Sequence, residues 1–253
     1  MNRLCRIATL TGTSILVVAT MAVAQQNLCA GCHFANPDGP GAAHVANWDR
    51  SLHGSTSVGC QKCHGGNANT GEPSQAHRGV LDSRNPASPV NGRNLAVTCG
   101  SCHPGQFVEF QKSRHSSLAS EGQPGAPNCD TCHGDVGEQR LSPKALQGQC
   151  ASCHGAGKRV PRPAYASQAR LLFESINETR GLLRTAKAVI ARVSDRQTRE
   201  RHERTYEQAE VPLTQAAHGA HSFEFDERLT ERLALARQRV DALLAQLANP
   251  PHG

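Results

Sequence analysis

The 253-residue chain is poor in the side chains that usually fill a protein interior: aromatics make up 4% of it, with one Trp, two Tyr and six Phe, and all hydrophobic residues together reach 38%. An ordinary core of Leu, Val and Phe is therefore excluded, and something else must occupy the interior. Methionine is scarcer still, with Met1 and Met21 the only two. Long apolar runs are missing as well. The best of them, from Ile7 to about Val23, is interrupted by Thr11, Gly12, Thr13 and Ser14 and falls short of the roughly 20 apolar residues that a membrane-spanning helix needs.

That run follows Arg3 and Arg6 and closes on Ala22-Val23-Ala24, the pattern of a secretory signal cleaved after about Ala24. Residues 1–24 are thus read as a signal peptide and the mature protein as periplasmic. Cys5 precedes the run and leaves with it, as do both methionines.

Cysteine and histidine are abundant, at 11 and 13 residues. Ten cysteines in an exported chain would ordinarily mean disulfides, but the spacing contradicts that. All ten form pairs two residues apart, each followed at once by His: Cys29-Ala-Gly-Cys32-His33, Cys60-Gln-Lys-Cys63-His64, Cys99-Gly-Ser-Cys102-His103, Cys129-Asp-Thr-Cys132-His133 and Cys150-Ala-Ser-Cys153-His154. C-x-x-C-H is the attachment signature of c-type haem. Two thiols a short turn apart add to the two vinyl groups, and the adjacent His is carried under the ring to the iron. Five chance placements of His have odds on the order of 10⁻⁷, and structural zinc has no need of that His. The reading is five covalent haems c, with His33, His64, His103, His133 and His154 as proximal ligands.

Residues 25–157 then span 133 positions, about 27 per motif, and hold 19 of the 23 glycines and nine of the 14 prolines. Such a segment buries little apolar surface of its own, so the porphyrins serve as its core and the segment is expected to be unfolded without them. Charge follows the same division. Loss of Arg3 and Arg6 leaves 25 basic against 21 acidic residues; the haem segment is balanced at nine each, while residues 158–253 carry 16 basic and 12 acidic. Ten ionised propionates make the haem segment negative. A nucleic-acid partner is excluded on these grounds, and charged redox proteins, periplasmic or membrane-bound, are the expected partners.

Without a mature methionine, no iron can be His/Met. Each is His/His, open to water or substrate, or bound by a rarer ligand such as Lys or a terminal amine. His53 and His115 share an aromatic-x-x-Ser-x-His frame, in Trp48-Asp-Arg-Ser-Leu-His53 and Phe110-Gln-Lys-Ser-Arg-His115, on short helical turns between motifs. His77 stands alone between the second and third motifs. These three, with His44 and His221, are the distal candidates, and His218 is a substitute for His221. His202, in Arg199-Glu-Arg-His202-Glu-Arg, reads as a solvated helix face, and His252 is terminal.

Beyond residue 158 the pattern changes to helical. Leu172, Ile176, Thr179, Leu183, Ala186, Ile190 and Val193 step by four and three, as do Phe225, Leu229, Leu233, Ala236, Val240, Leu243 and Leu247, which are coiled-coil seams. Ser194-Asp-Arg-Gln197 matches a capping box. Three tail helices are predicted, about 165–193, 195–217 and 222–248, with the first leading away for about 43 Å and the second returning to bring His218 and His221 beside the haems. A tail with such seams can also pair with another copy or a partner. The predicted fold is mainly α with little β: a loop-rich, pentahaem-wrapped domain (25–157) followed by a helical, coiled-coil-like tail (158–253).

The serial motifs, the Trp/Phe-x-x-Ser-x-His frames, the stretch Ser88-Pro-Val-Asn…Cys99-Gly-Ser-Cys102-His103-Pro104 and the helical tail resemble the periplasmic multihaem cytochromes c of the hydroxylamine oxidoreductase and cytochrome c nitrite reductase superfamily. The resemblance implies that His221, in His218-Gly-Ala-His221-Ser-Phe-Glu-Phe, ligates a haem ahead of the last helix; the alternative is an ordinary helix entry with His221 as its polar cap. The chain has no C-x-x-C-K site of the kind that resemblance to nitrite reductase would call for, and its five motifs are fewer than hydroxylamine oxidoreductase-like enzymes carry, so it is similar to the smaller electron-carrying members. Single-electron transfer through bis-His, low-potential haems is the expected function. The alternative readings are a small reductase or oxidase of nitrogen or sulfur oxyanions at one open iron, and an assembly subunit that the haems merely fold.

Overall fold

The computed structural model describes residues 27–39, 41–137 and 141–248. The expected signal peptide, Cys5 and His252 lie outside these residues. The described chain is helical and loop-rich, with no strand among the described residues. Ten short helices come first: α1 (Leu28–Phe34), α2 (Ala42–Arg50), α3 (Leu52–Ser55), α4 (Gln61–His64), α5 (Pro73–Ala76), α6 (Leu95–Gly100), α7 (Pro104–Phe110), α8 (Arg114–Ser120), α9 (Cys129–His133) and α10 (Pro143–His154). Three long ones follow: α11 (Pro163–Ile190), α12 (Arg196–Gly219), which runs into a 3₁₀ turn at Ala220–Ser222, and α13 (Glu227–Ala248).

Apolar burial is divided as unevenly as the composition. The cluster of buried hydrophobics, including Ile176, Leu183, Ile190, Leu213, Leu229, Val240 and Leu243, belongs wholly to the last three helices and the turn that joins two of them. The seam residues Ile176, Thr179, Leu183, Ala186 and Ile190 of α11 are buried, and Leu172 packs against the cluster from its edge. From α13, Leu229, Leu233, Ala236, Val240 and Leu243 enter it. In residues 27–157, by contrast, the buried apolar side chains are scattered and mostly small, such as Ala30, Val45, Ala68, Ala96 and Ala119.

Local chemistry decides where the long helices begin and end. Pro163 sits in the first turn of α11, where its missing N–H costs nothing. The cap of α12 is Asp195, not Ser194: its carboxylate accepts from Thr198 N at 2.7 Å. Pro212 lies inside α12 without ending it. A proline there cannot donate to the carbonyl four residues back. That carbonyl, of Gln208, instead accepts from Arg239 Nη1 of α13 at 2.7 Å. The helix therefore reaches Gly219, and α13 starts only at Glu227, later than 222.

Candidate metal centres

Each motif places its His on or beside a short helix. His33 lies on α1, His64 on α4, His133 on α9 and His154 at the end of α10, while His103 is the N-cap of α7. None of the ten motif cysteines forms a disulfide. Successive motifs lie side by side in chain order. The Cys60 thiol is pushed up by burial and then by the charge of Cys29, and that of Cys63 by burial and then by Cys99 and Cys102. Cys99 is raised first by its hydrogen bond with Cys129. Cys132 is pushed up to about 11, by burial and then by Cys150.

Opposite each motif His stands a second imidazole. Ring centroids are 6.1 Å apart for His33 and His77, 5.5 Å for His64 and His44, and 6.1 Å for His103 and His53. They are 6.3 Å apart for His133 and His221, and 5.9 Å for His154 and His115. A metal ion bound on both sides by imidazole nitrogens at about 2 Å spaces the ring centres by about 6 Å. The structure thus brings each of the five distal candidates opposite a different motif histidine.

Short-range bonds fix where these rings point. In the repeated frame, Ser51 accepts from Gly54 N at 3.2 Å and donates to Trp48 O at 2.7 Å, while Ser113 accepts from Ser116 N at 3.1 Å and donates to Phe110 O at 2.6 Å. The serine caps the helix and ties the aromatic residue to it, so the His two positions on is presented from the first turn in both copies. Elsewhere Nδ1 is the anchor. His53 Nδ1 meets Val136 O at 2.7 Å, His77 meets Pro73 O at 2.9 Å, His154 meets Val160 O at 2.9 Å, and His221 meets Ala217 O at 3.0 Å. His44 Nδ1 meets the Asp135 carboxylate at 2.8 Å. Carbonyls and carboxylates only accept, so in each case Nδ1 carries the proton and Nε2 keeps its lone pair, as metal ligation requires.

Protonation is set the same way. His64 is held below the ordinary histidine range by burial and then by His44 and His33, His115 by burial and then by His154, and His221 by burial, with the Ala217 carbonyl opposing. Neutral imidazole is the ligating form. No group of three or more His, Cys, Asp or Glu converges as a metal cage among the described residues. Paired imidazole nitrogens with unbridged cysteines alongside would suit a metal whose remaining donors come with the cofactor, so the residues present fit haem c.

Three placements differ from the sequence reading. His221 is not at the opening of the last helix; it lies on the 3₁₀ turn that closes α12 and is anchored to that helix's carbonyls. His218, the substitute for it, packs against Gly105, where no Cβ would fit. His202 is buried at 5% exposure with Nδ1 unpartnered, rather than solvated. The 4-3 stepping His202, Tyr206, Ala209, Leu213, Ala216 carries the signal for this, masked by the charged neighbours of His202.

Two residues escaped the sequence reading altogether. Phe223, with φ at +56°, sets its ring 4.6 Å from that of His115 and accepts a hydrogen bond from Tyr165, whose own ring is 6.1 Å from His154. Scarcity of aromatics was the available hint. Asp135 carried none, because its partner is distant in sequence.

Residues 12–65, which include the first two motifs, match the family described as cytochrome c554 and c-prime. The chain is also similar to the C-type polyheme cytochrome OmcC of Geobacter sulfurreducens, 28% identical over 144 residues that make up 54% of this chain and 17% of that protein. The matched stretch is thus less than a fifth of the relative's length. No solved structure matches. Placement in the hydroxylamine oxidoreductase and nitrite reductase superfamily is finer than either match.

Proposed function

We propose that this chain is a multihaem c-type cytochrome carrying five covalent haems, and that it passes single electrons between redox partners outside the cytoplasm. One observation carries the reading: five C-x-x-C-H histidines are each faced by a different second histidine at the spacing of an axially bound iron. When bound, each haem supplies a one-electron iron couple.

The side chains of this protein do the rest. Ten thiols would fix the rings covalently, five motif histidines would each supply one iron ligand, and His77, His44, His53, His221 and His115 would supply the second. Two nitrogen ligands without methionine would hold potentials low and would leave no coordination position for a substrate. Cysteines of successive motifs lie near enough to act on one another, which supports a path from the first to the fifth. The likeness to a polyheme cytochrome supports the same function. No described helix is long and apolar enough to cross a membrane. With propionates on the haem segment and 16 basic residues in 158–253, the molecule is polarised for docking charged partners.

A pyridine haemochrome assay on the purified protein is expected to give five haems per chain, with a wholly low-spin electron paramagnetic resonance spectrum. Three or fewer haems after full maturation would sink the architecture. A high-spin iron together with turnover of nitrite or hydroxylamine at some 1 to 10³ per second, the usual range of enzymes, would favour the reductase reading instead.

A further inference from the structure

Five of the paired imidazoles have a described Nδ1 contact, and their acceptors are not alike. His53, His77, His154 and His221 donate to backbone carbonyls, while His44 donates to the carboxylate of Asp135. The contact is built from both sides. Asn47, one turn along α2 from His44, donates to the other Asp135 oxygen at 3.3 Å, and Arg50 donates to Asn47 Oδ1 at 2.7 Å. Gly134, at φ +79°, turns the chain after His133 and leads directly into Asp135.

We propose that Asp135 lowers the midpoint potential of the iron that His64 and His44 would hold. The proposal rests on the haem-ligand reading above. A carboxylate at Nδ1 draws the imidazole proton towards itself and makes Nε2 a stronger donor than a neutral carbonyl does. Stronger donation and a nearby negative charge both favour the ferric over the ferrous state, and second-shell hydrogen bonding is one of the established levers on haem potential. One electron is gained in the reduction, no bond forms or breaks, and the proton stays on Nδ1. With side chains 36% and 45% exposed, the pair adds little as a salt bridge; its effect is exerted through the ligand. Val136 is an internal control, because the next residue in the chain holds His53 by a carbonyl. Asp135 is thus a positioning and tuning residue that does not touch the iron.

The test is a potentiometric titration of the haem-loaded full chain, followed optically and by electron paramagnetic resonance. His44→Ala identifies the couple, as one low-spin signal becomes high-spin. Asp135→Asn is expected to retain five low-spin haems and raise the midpoint of that couple by at least about 59 mV, a tenfold fall in its oxidised-to-reduced ratio at a fixed potential. Asp135→Glu keeps it low. If Asp135→Asn loads fewer than five haems, Asp135→Ala is read in its place, with a rise of the same couple expected. A couple that does not move, or movement of a different one, overturns the proposal and leaves the ligand reading intact. A wholly low-spin His44→Ala protein overturns both.

Discussion

His133 and His221 face each other with nearly parallel rings, their centroids 6.3 Å apart and their planes 19° apart. One ring is in a haem-attachment motif and the other closes the second long helix of the tail, so the pair ties the two parts of the chain together. His221→Ala is expected to turn one of five irons from low-spin to high-spin and to loosen the tail, since the lost metal bond helped hold it. His218→Ala, whose ring lies over Gly105, is expected to leave every iron low-spin. Electron paramagnetic resonance of the two variants reads this directly.

The pairs differ in mutual orientation. His33 and His77 stand at 82° and His64 and His44 at 87°, against 39° for His154 and His115 and 19° for His133 and His221. Crossed ligand planes treat the two iron orbitals they overlap alike, whereas parallel planes split them. The expected spectrum therefore contains two strongly anisotropic low-spin signals from the first two pairs and a rhombic one from the fourth. His77→Ala and His44→Ala should each remove one anisotropic signal, and a uniformly rhombic spectrum would contradict these ring angles.

The cross-helix bond from Arg239 to the Gln208 carbonyl replaces the donor that Pro212 lacks. Arg239→Ala is expected to cost about 1 kcal/mol, the scale of one hydrogen bond with water able to reach part of the site. In a Pro212→Ala background the same change should cost less, because the helix supplies its own N–H. Thermal unfolding of the single and double variants gives the coupling.

Burial of His202 with an unpartnered Nδ1 costs stability that an apolar residue of similar size avoids. His202→Leu is expected to stabilise the tail by about 1 to 2 kcal/mol with no change in the haem spectrum. A destabilised variant would mean that the buried nitrogen has a partner.

Much of this was legible before any coordinates. The attachment motifs are a chemical spacing, readable from five repeats without knowledge of the fold. The seams of α11 and α13 follow from 4-3 periodicity, and the shared serine frame of His53 and His115 is a local device that two short segments contain in full. Element ends were less legible, because Asp195 and Ser194 are both competent caps and a proline inside α12 normally signals a break. Pairing was illegible. His44 faces His64, and His53 faces His103, for reasons that lie in the segment after the fourth motif, which no local pattern near either histidine encodes.

Asp135 and Val136, two consecutive residues, grip the histidines of two different pairs. In chain order His44, His53, His64 and His103 all precede that dipeptide. The contacts that hold the second and third pairs can therefore form only once residues 135 and 136 are in place, so one short segment clasps two centres at once.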